Sequence, residues 1–327
     1  MSDATFNETA AHAGRLAHFP VSLFAIVMGT AGLAIAWMKA YHALGAPVEI
    51  TQLLRWMASA LYLFLLAMYA AKLVRHPAEV AAERRHPVRL NFFPAISIGL
   101  ILLAIAWAPD APAAASRMWR IGAALQLGFT LYVMSSWLHH THYAIQHANP
   151  AWFIPVVGNI LVPIVGVRFA PADVSWFFFS IGLVFWIVLM TLVLYRLFFH
   201  EPLPARLAPT LFILIAPPSV GFLSYVALSG EVDAFARILY FCALFLTLLL
   251  ASNALRFFRL PFFISAWAYS FPLAAMTIAT FEMGVRTGQG FYGVLALALL
   301  AVLTLVLVAL VTKTVQAALH GRICVPE

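Results

Sequence analysis

Four histidines near the middle of the chain are the first candidates for chemistry. His139, His140 and His142 are nearly consecutive, and His147 follows shortly after them. Imidazole nitrogens are common metal ligands, and His139 and His142 could share one helix face. However, no carboxylate or cysteine lies nearby to complete a ligand set. We therefore predict a polar end of a helix here, with no metal site and no cofactor.

The remaining reactive groups are scattered. Cys242 lies inside an apolar run and Cys324 lies near the end of the sequence, so we expect them at different depths and unpaired. We find no paired acids, no activated nucleophile and no nucleotide-binding loop. An enzyme is therefore the least favoured class, with the histidines as its only support.

The composition is that of a chain that lies in lipid. Hydrophobic residues make up 64% of the 327 residues and charged residues only 9%, whereas a soluble domain carries about 25% charged residues. The net charge is +7, but the basic residues are not interleaved with exposed aromatic residues. We therefore expect no nucleic-acid partner and infer that the basic residues orient the chain in a membrane. The sequence therefore predicts an all-α integral membrane protein.

Apolar runs of about 20 residues, the length that crosses a bilayer, recur ten times along the chain. Turn signals such as Leu44-Gly45-Ala46-Pro47 and Ser229-Gly230-Glu231 separate them. The third and fifth runs are short. We place the transmembrane segments at 19–41, 52–74, 91–108, 117–139, 151–168, 174–198, 209–228, 233–256, 263–285 and 290–318.

The basic residues predict the orientation of the segments. Most of the 19 Lys and Arg residues fall on one side, with the densest group between Arg75 and Arg89. The more basic side is usually cytoplasmic. We therefore expect residues 1–18 and 320–327 to be short cytoplasmic segments around a membrane domain at 19–319, in the inner (cytoplasmic) membrane.

Prolines within the segments follow the parity of the segment. They occur in the odd-numbered segments, and the interiors of the even-numbered ones contain none. An interior proline kinks a helix, and broken backbone in a membrane is tolerated where protein or a wet cavity surrounds it. We predict five helical hairpins, with the kinked odd helices as an inner ring around a central pore and the even helices outside. The kink residues are Pro20, Pro94, Pro155, Pro163, Pro217, Pro218 and Pro272.

Small and polar residues of the odd segments are the candidates to line the path. We propose Ser22, Gly29, Ser97, Gly158, Asn159, Ser219, Ser224 and Thr277. Charged residues lie at one end of these segments, at Lys39, Arg168 and Arg286, and Glu282 could pair with Arg286. Hydroxyls, kinked backbone and cationic mouths together favour small inorganic anions.

The mechanism of transport follows from what the inner segments lack. A proton-coupled carrier usually needs a buried titratable relay, and the sequence offers none at mid-membrane. Passive flow of chloride, nitrate and similar anions is therefore the favoured function. The alternative is a carrier for C4-dicarboxylate, sulfite or tellurite, which would need convergent cations to hold its substrate.

Several motifs resemble one known family. They are Phe19-Pro20-Val21-Ser22, Gly29-Thr30-Ala31-Gly32-Leu33, the stretch 150–159 and the stretch 266–273. The chain resembles, over its whole length, the tellurite-resistance/dicarboxylate transporter family, which includes the plant guard-cell slow anion channels and the bacterial tellurite-resistance protein.

This resemblance carries its own expectations. It implies five hairpins in a ring, a pore inside each subunit and a homotrimer in the bilayer. It also implies that a phenylalanine of the ninth helix blocks the pore, and the matching position is Phe271, directly before Pro272. From the residues alone, Phe271 would be interpreted as a packed core aromatic.

Overall fold

A computed structural model describes residues 14–139 and 143–324, and every regular element in these ranges is helical. Within them, nine helices are long and apolar enough to cross a membrane, and a shorter apolar helix, α5, lies between the fourth and fifth of these. In chain order the segments are α1 Val21–Leu44, α2 Val48–Arg75, α3 Arg89–Trp107, α4 Pro112–His139, α5 Pro150–Gly166, α6 Ala172–Phe199, α7 Ala208–Ser229, α8 Ala234–Ala251, α9 Ile264–Thr287 and α10 Gly290–Leu319. Each predicted segment overlaps one of them.

The ends of the helices have local causes. Gly45, Gly230 and Gly288 end α1, α7 and α9 with positive φ, a conformation that glycine adopts without strain. Asp233 caps α8 by accepting a hydrogen bond from the Ala236 amide at 2.9 Å, and this bond lowers the pKa of its carboxyl.

The predicted end of α8 is wrong, because the helix ends at Ala251 and not at 256. Ser252 Oγ and Asn253 Nδ2 both donate to the Leu249 carbonyl, at 2.8 and 3.0 Å. These side chains replace the amides that would continue the helix. A separate short helix, Ala254–Phe258, follows.

Burial divides the long helices into two groups. The most apolar windows of α1, α3, α7 and α9 are 72%, 78%, 67% and 72% buried, whereas those of α2, α4, α6, α8 and α10 are between 28% and 39% buried. The residues of α5 are almost all buried as well. The segments with interior prolines are therefore the buried ones, and the helices without an interior proline have a largely exposed apolar face.

The prolines lie where 3-10 turns change into α-helix. Pro94 lies between a 3-10 turn at Arg89–Phe92 and the α-helical part of α3. Pro217 and Pro218 follow the 3-10 stretch Ala208–Ile215, and Pro272 follows Ile264–Tyr269. Because proline supplies no amide hydrogen, a first-turn position suits it better than a helix interior.

Pro20 and the prolines of α5 are placed differently. Pro20 is in extended backbone directly before the first turn of α1, so it begins this helix and does not kink it. Pro155 is inside the short α-helical turn Phe153–Val157, and Pro163 begins another at Pro163–Gly166. A 3-10 stretch separates these turns, which leaves α5 interrupted throughout.

Side chains of α4 donate hydrogen bonds to carbonyls of the interrupted α5. Gln126 Nε2 and Thr130 Oγ1 donate to the Pro155 carbonyl at 2.8 and 2.7 Å, and Trp119 Nε1 donates to that of Val162 at 2.9 Å. Broken backbone at membrane depth needs such partners, because lipid supplies none. One face of α4 therefore stabilises the irregular α5.

Candidate functional site

Three cavities follow one another along the interior. The upper cavity has a volume of about 390 Å³ and contains Lys39 and Glu282 in its wall. The middle cavity is much smaller, about 70 Å³. The lower vestibule, about 850 Å³, contains Arg89 and Lys313 in its wall.

Shared wall residues connect these cavities in series. Leu161, Val220 and Phe271 border both the upper and the middle cavity. The middle cavity and the lower vestibule share Ser22, Phe92, Ile264 and Ser265. Among the described residues, the three cavities therefore form a series, which we call the path, from the upper cavity through the middle cavity to the vestibule.

The boundary between the upper and the middle cavity is formed by Leu161, Val220 and Phe271, which we call the neck. They come from α5, α7 and α9. Phe271 is only 7% exposed. A Cβ added to Gly32 would lie 3.6 Å from Phe271 Cδ2, so the ring lies against the glycine face of α1. All three side chains of the neck are apolar.

The middle cavity has an apolar wall. Its wall residues include Ile98, Phe153, Val157 and Pro217, and among the described residues none that line it carries a charge. An ion inside it would lose water without gaining a charged partner, which is costly. The middle cavity and the neck therefore form the barrier of the path.

Charged side chains gather in the upper cavity. Glu282 accepts a hydrogen bond from Lys39 Nζ at 2.5 Å and another from Arg286 Nε at 2.5 Å. Arg286 also donates to the Gly230 carbonyl at 2.6 Å. Arg168 lines the same cavity, and its side chain makes no ion pair with any residue that the structure describes. Two of the three predicted mouth cations, Lys39 and Arg286, thus share one carboxylate, and the third, Arg168, lines the same cavity.

The lower vestibule has several basic residues in its wall. Arg89, Arg206, Lys313 and Arg322 line it, with His86 and His320. Within the described ranges its one acidic wall residue is Glu83. The Glu83 carboxylate is turned into the protein, where it forms an ion pair with Lys72 Nζ at 3.1 Å and accepts a hydrogen bond from Tyr69 OH at 2.7 Å.

Of the eight predicted lining residues, the structure places two at the middle cavity, Ser22 and Gly158. Gly29 instead lets α1 approach α9, because a Cβ there would lie 2.2 Å from Ser270 Oγ. Ser97 donates to Gln126 Oε1 of α4 at 2.7 Å, and Asn159 donates to Thr130 Oγ1 at 2.8 Å. These three residues therefore connect helices.

The other three hydroxyls are bound to backbone. Ser219 and Thr277 donate to the carbonyls of Ile215 and Leu273, four residues earlier, at 2.8 and 2.7 Å. Ser224 donates to the Ile160 carbonyl of α5. Hydroxyl donors thus contribute little to the wall of the path.

Sequence reasoning missed two parts of the site. Leu161 and Val220 of the neck were not among the candidates, because only polar or small residues were considered. The four cations of the vestibule were used only to orient the chain. One feature of the sequence could have grouped these four cations. All of them lie on the more basic side of the predicted topology, namely Arg89, Arg206, Lys313 and Arg322.

The histidine cluster is only partly described. His139 Nδ1 contacts the Ser135 carbonyl of its own helix at 2.8 Å, and His140 and His142 lie outside the described residues. Within the described ranges, no group of three His, Cys, Asp or Glu side chains could hold a metal ion. Cys242 and Cys324 are both free thiols.

An all-helical, multi-pass chain with an axial path between two cationic cavities is a membrane protein of the channel or transporter class. Comparison with known proteins defines it further. The sequence profile of the voltage-dependent anion channel (SLAC1) family matches residues 18–315, and the chain belongs to this family. The family membership predicted from the motifs is thereby confirmed.

Individual relatives share this class. The S-type anion channel SLAH3 of Arabidopsis thaliana is 30% identical over 92% of this chain and 48% of its own length. The tellurite resistance protein TehA homolog of Haemophilus influenzae is 29% identical over 79% of both chains. An uncharacterised transporter of Methanocaldococcus jannaschii is 26% identical over 85% of this chain and 91% of its own. The chain spans about half the length of SLAH3.

Proposed function

We propose that the chain is a passive anion channel gated by Phe271. The observation that carries the proposal is the position of this residue, which borders both the upper and the middle cavity at the neck. Cationic groups lie at both ends of the path and the barrier between them is apolar. Relatives named as anion channels support the same function.

The gate operates by steric block and dewetting. The ring of Phe271 fills a neck whose other members, Leu161 and Val220, are also apolar, so water and ions are excluded together. Opening needs a change of side-chain rotamer into the upper or middle cavity. No charge has to move, so the closed state needs no titratable group in the neck.

We further propose that α1 to α10 form five hairpins, with α5 as a short tenth span. The odd helices would be the inner ring and the even helices the outer ring. The greater burial of α1, α3, α7 and α9 supports this arrangement. The hydrogen bonds from α4 to α5 support counting α5 among the inner segments.

Anion preference comes from charge at the two ends. A cationic cavity raises the local concentration of anions and repels cations. The apolar middle cavity then favours ions that lose water easily, such as nitrate and chloride, over multivalent ones. A carrier would need a closed site with cations on both sides of its substrate. The cations of the described path are instead separated by the neck.

Flux measurements in liposomes test the proposal against the carrier alternative. The Phe271→Ala variant should pass chloride and nitrate without a counter-substrate and should not saturate at millimolar concentrations. Sulfite and malate should pass more slowly. Saturable exchange of malate or sulfite, with no chloride conductance, would establish the carrier instead.

The assembly is proposed to be a homotrimer in the bilayer with one path in each subunit. The outer helices expose large apolar side chains that could pack against lipid or a second subunit, for example Trp56, Phe64 and Phe245. Mass measurement in mild detergent should give three subunits. A monomer at high protein concentration would contradict the trimer and leave the path inside each chain intact.

We propose that the lower vestibule faces the cytoplasm, with both termini on that side of the inner membrane. The excess of basic residues at this end supports the orientation. A C-terminal tag should resist protease added to right-side-out vesicles. Cleavage from outside would reverse the topology.

A further inference from the structure

A groove on the outer helix α4 lies apart from the path. Its volume is about 330 Å³, and Arg84 and Phe93 form its wall together with residues of α4. The residues of α4 in this wall are Ala124, Leu125, Gly128, Phe129 and Tyr132. From first to last they cover about 12 Å along the helix axis. None of these wall residues borders the three cavities of the path, so the groove is a separate feature.

The groove is open on the side that faces lipid. A Cβ added to Gly128 would meet no atom within 4 Å, and the neighbouring Leu125 and Tyr132 are 41% and 47% exposed. The most apolar window of α4 is only 28% buried, so this surface faces the acyl chains of the bilayer. An empty groove there would forfeit dispersion contacts with the surrounding chains. In a membrane the groove is therefore filled, and its apolar wall suits an acyl chain.

The wall of the groove is held in place by aromatic packing. Phe93 is 7% exposed and forms the inner part of the wall at the start of α3. Its ring centroid lies 6.0 Å from that of Tyr69 and 6.5 Å from that of Phe129. Edge-to-face and tilted ring pairs at such distances are favourable. The groove is thus built between two packed helices.

One end of the groove carries a cation. Arg84 belongs to the short helix Pro77–Arg85, which connects α2 to α3 on the side of the membrane where α4 ends. Its side chain is exposed and makes no ion pair with any residue that the structure describes. The adjacent Glu83 carboxylate is buried against Lys72, which already balances its charge. Arg84 is therefore available to an anion at the membrane surface.

The order of groups along the groove matches a phospholipid molecule. The apolar wall reaches as far as Ala124 inside the membrane, and Tyr132 and Arg84 lie toward the surface. Tyrosine is enriched at the level of the headgroups, and guanidinium binds phosphate oxygens through two parallel hydrogen bonds. In phosphatidylcholine the phosphate already has its own cation. In phosphatidylglycerol it has none, so a lone arginine favours the anionic lipid.

We propose that this groove binds one anionic phospholipid, with its phosphate on Arg84 and an acyl chain over Gly128. The site stands on the groove alone and does not depend on the proposed channel. A second copy of this chain is the competing occupant, because outer helices also form contacts between subunits. The experiments below distinguish the two occupants.

The headgroup contact is tested by native mass spectrometry of the delipidated full chain in mild detergent. It is titrated with dioleoyl phosphatidylglycerol and, separately, with dioleoyl phosphatidylcholine, which has the same chains. The first phosphatidylglycerol should bind about fivefold more tightly, which is the effect of one arginine near an anionic headgroup. Arg84→Gln should reduce this preference to less than about twofold. No preference in the wild type would overturn the site.

Arg85→Gln is the matched control for the headgroup. It removes the same charge at the next residue, which is also exposed but is not in the wall of the groove. The preference for phosphatidylglycerol should stay at about fivefold. Equal loss in Arg84→Gln and Arg85→Gln would mean that the lipid responds to the overall surface charge, and the site would be wrong.

The acyl-chain contact is tested with Gly128→Leu, whose side chain enters the groove. Leucine is a better helix former than glycine, and the position has room for it, so the fold should be retained. Both lipids should bind about tenfold more weakly, equivalent to two methylene groups leaving the groove. Gly293→Leu makes the same change on α10, where an added Cβ also meets nothing within 4 Å, and should leave lipid binding unchanged. Unchanged binding in Gly128→Leu would overturn the site.

The same spectra count the subunits in each particle. If Gly128→Leu or Arg84→Gln lowers that count and leaves the lipid bound per chain unchanged, the groove is a contact between copies and the lipid site is wrong. Free glycerol phosphate in excess should not displace phosphatidylglycerol, because it lacks the acyl chain. Displacement would mean that the groove is a simple anion site and would overturn the proposal.

Discussion

The two cationic ends of the path use their acidic residue in opposite ways. In the upper cavity, Glu282 lies in the wall among the cations and holds Lys39 and Arg286. In the lower vestibule, Glu83 is withdrawn to the buried Lys72. The upper carboxylate therefore makes the electrostatic field of its cavity less positive. The lower carboxylate instead stabilises the fold and changes the electrostatic field of the vestibule little.

This difference matters only if the neck separates the two ends. The largest expected effect is therefore that of Phe271→Ala, which should raise chloride conductance by more than about tenfold, equivalent to lowering the barrier by ~1.4 kcal/mol. Phe271→Leu should give an intermediate current, because the smaller side chain fills part of the neck. The measurement is current per folded channel in a planar bilayer.

Phe222→Ala is the matched control for this prediction. Phe222 is on the inner helix α7, is fully buried against Tyr240 and borders none of the three cavities. Its removal should lower stability by about 3–5 kcal/mol without raising the current of the folded fraction. If Phe271→Ala behaves like Phe222→Ala, Phe271 is a core residue and not a gate.

The next effect concerns the buried acid of the lower end. Glu83→Gln leaves the Lys72 ammonium buried without its counter-ion, which should cost about 3–5 kcal/mol. The current per folded channel should remain close to that of the parent, because the Glu83 carboxylate is turned away from the path. Thermal unfolding in detergent and bilayer recording of the Phe271→Ala background separate the two quantities. A large change in current with normal stability would mean that Glu83 acts on the ions directly.

The corresponding substitution at the upper end should have the opposite effect, with a change in the current per folded channel and little change in stability. Glu282→Gln removes the one carboxylate that the described residues place in the wall of the upper cavity, and makes the field of the cavity more positive. At a distance of several ångströms in water, one charge is worth roughly 0.5 kcal/mol, or about a two- to threefold change in local anion concentration. Anion influx from the upper side should rise by this factor at low salt and less at 0.15 M salt. An unchanged current at low salt would show that the upper carboxylate does not tune permeation.

Which segments are buried could be predicted because lipid imposes strong rules on sequence. Carbonyls freed by an interior proline must be buried, so the segments with interior prolines are the buried ones. The ends of some helices could also be predicted, because glycines such as Gly45 and Gly230 mark them in the sequence. Pro155 and Pro163 predicted that α5 is interrupted, but the hydrogen-bond partners of its carbonyls could not be derived from its own residues. They are Trp119, Gln126 and Thr130 of a different helix.

Several of the polar residues predicted to line the path bond other parts of the protein, for a related reason. In an apolar environment, a hydroxyl is satisfied most easily by the carbonyl one turn before it, as Ser219 and Thr277 show. A polar residue on an inner helix therefore need not face the pore. The vestibule was missed because its cations come from distant parts of the sequence, and only the fold brings Arg89 and Lys313 to one cavity.

The smallest expected effect separates the cations of the upper cavity from one another. Lys39 is held by Glu282, whereas the Arg168 side chain has no acidic partner among the described residues. Arg168→Gln should therefore lower influx from the upper side by about twofold, by weakening the field.

The control Lys39→Gln/Glu282→Gln removes one positive and one negative charge together, so the net charge of the upper cavity does not change. Its influx should exceed that of Arg168→Gln and stay near the parent value when chloride current is recorded at low salt. The opposite ranking would mean that the Lys39–Glu282 pair, and not the net charge of the cavity, controls how anions reach the neck. In that case the carboxylate would have the same main role at both ends of the path, which is to position a lysine.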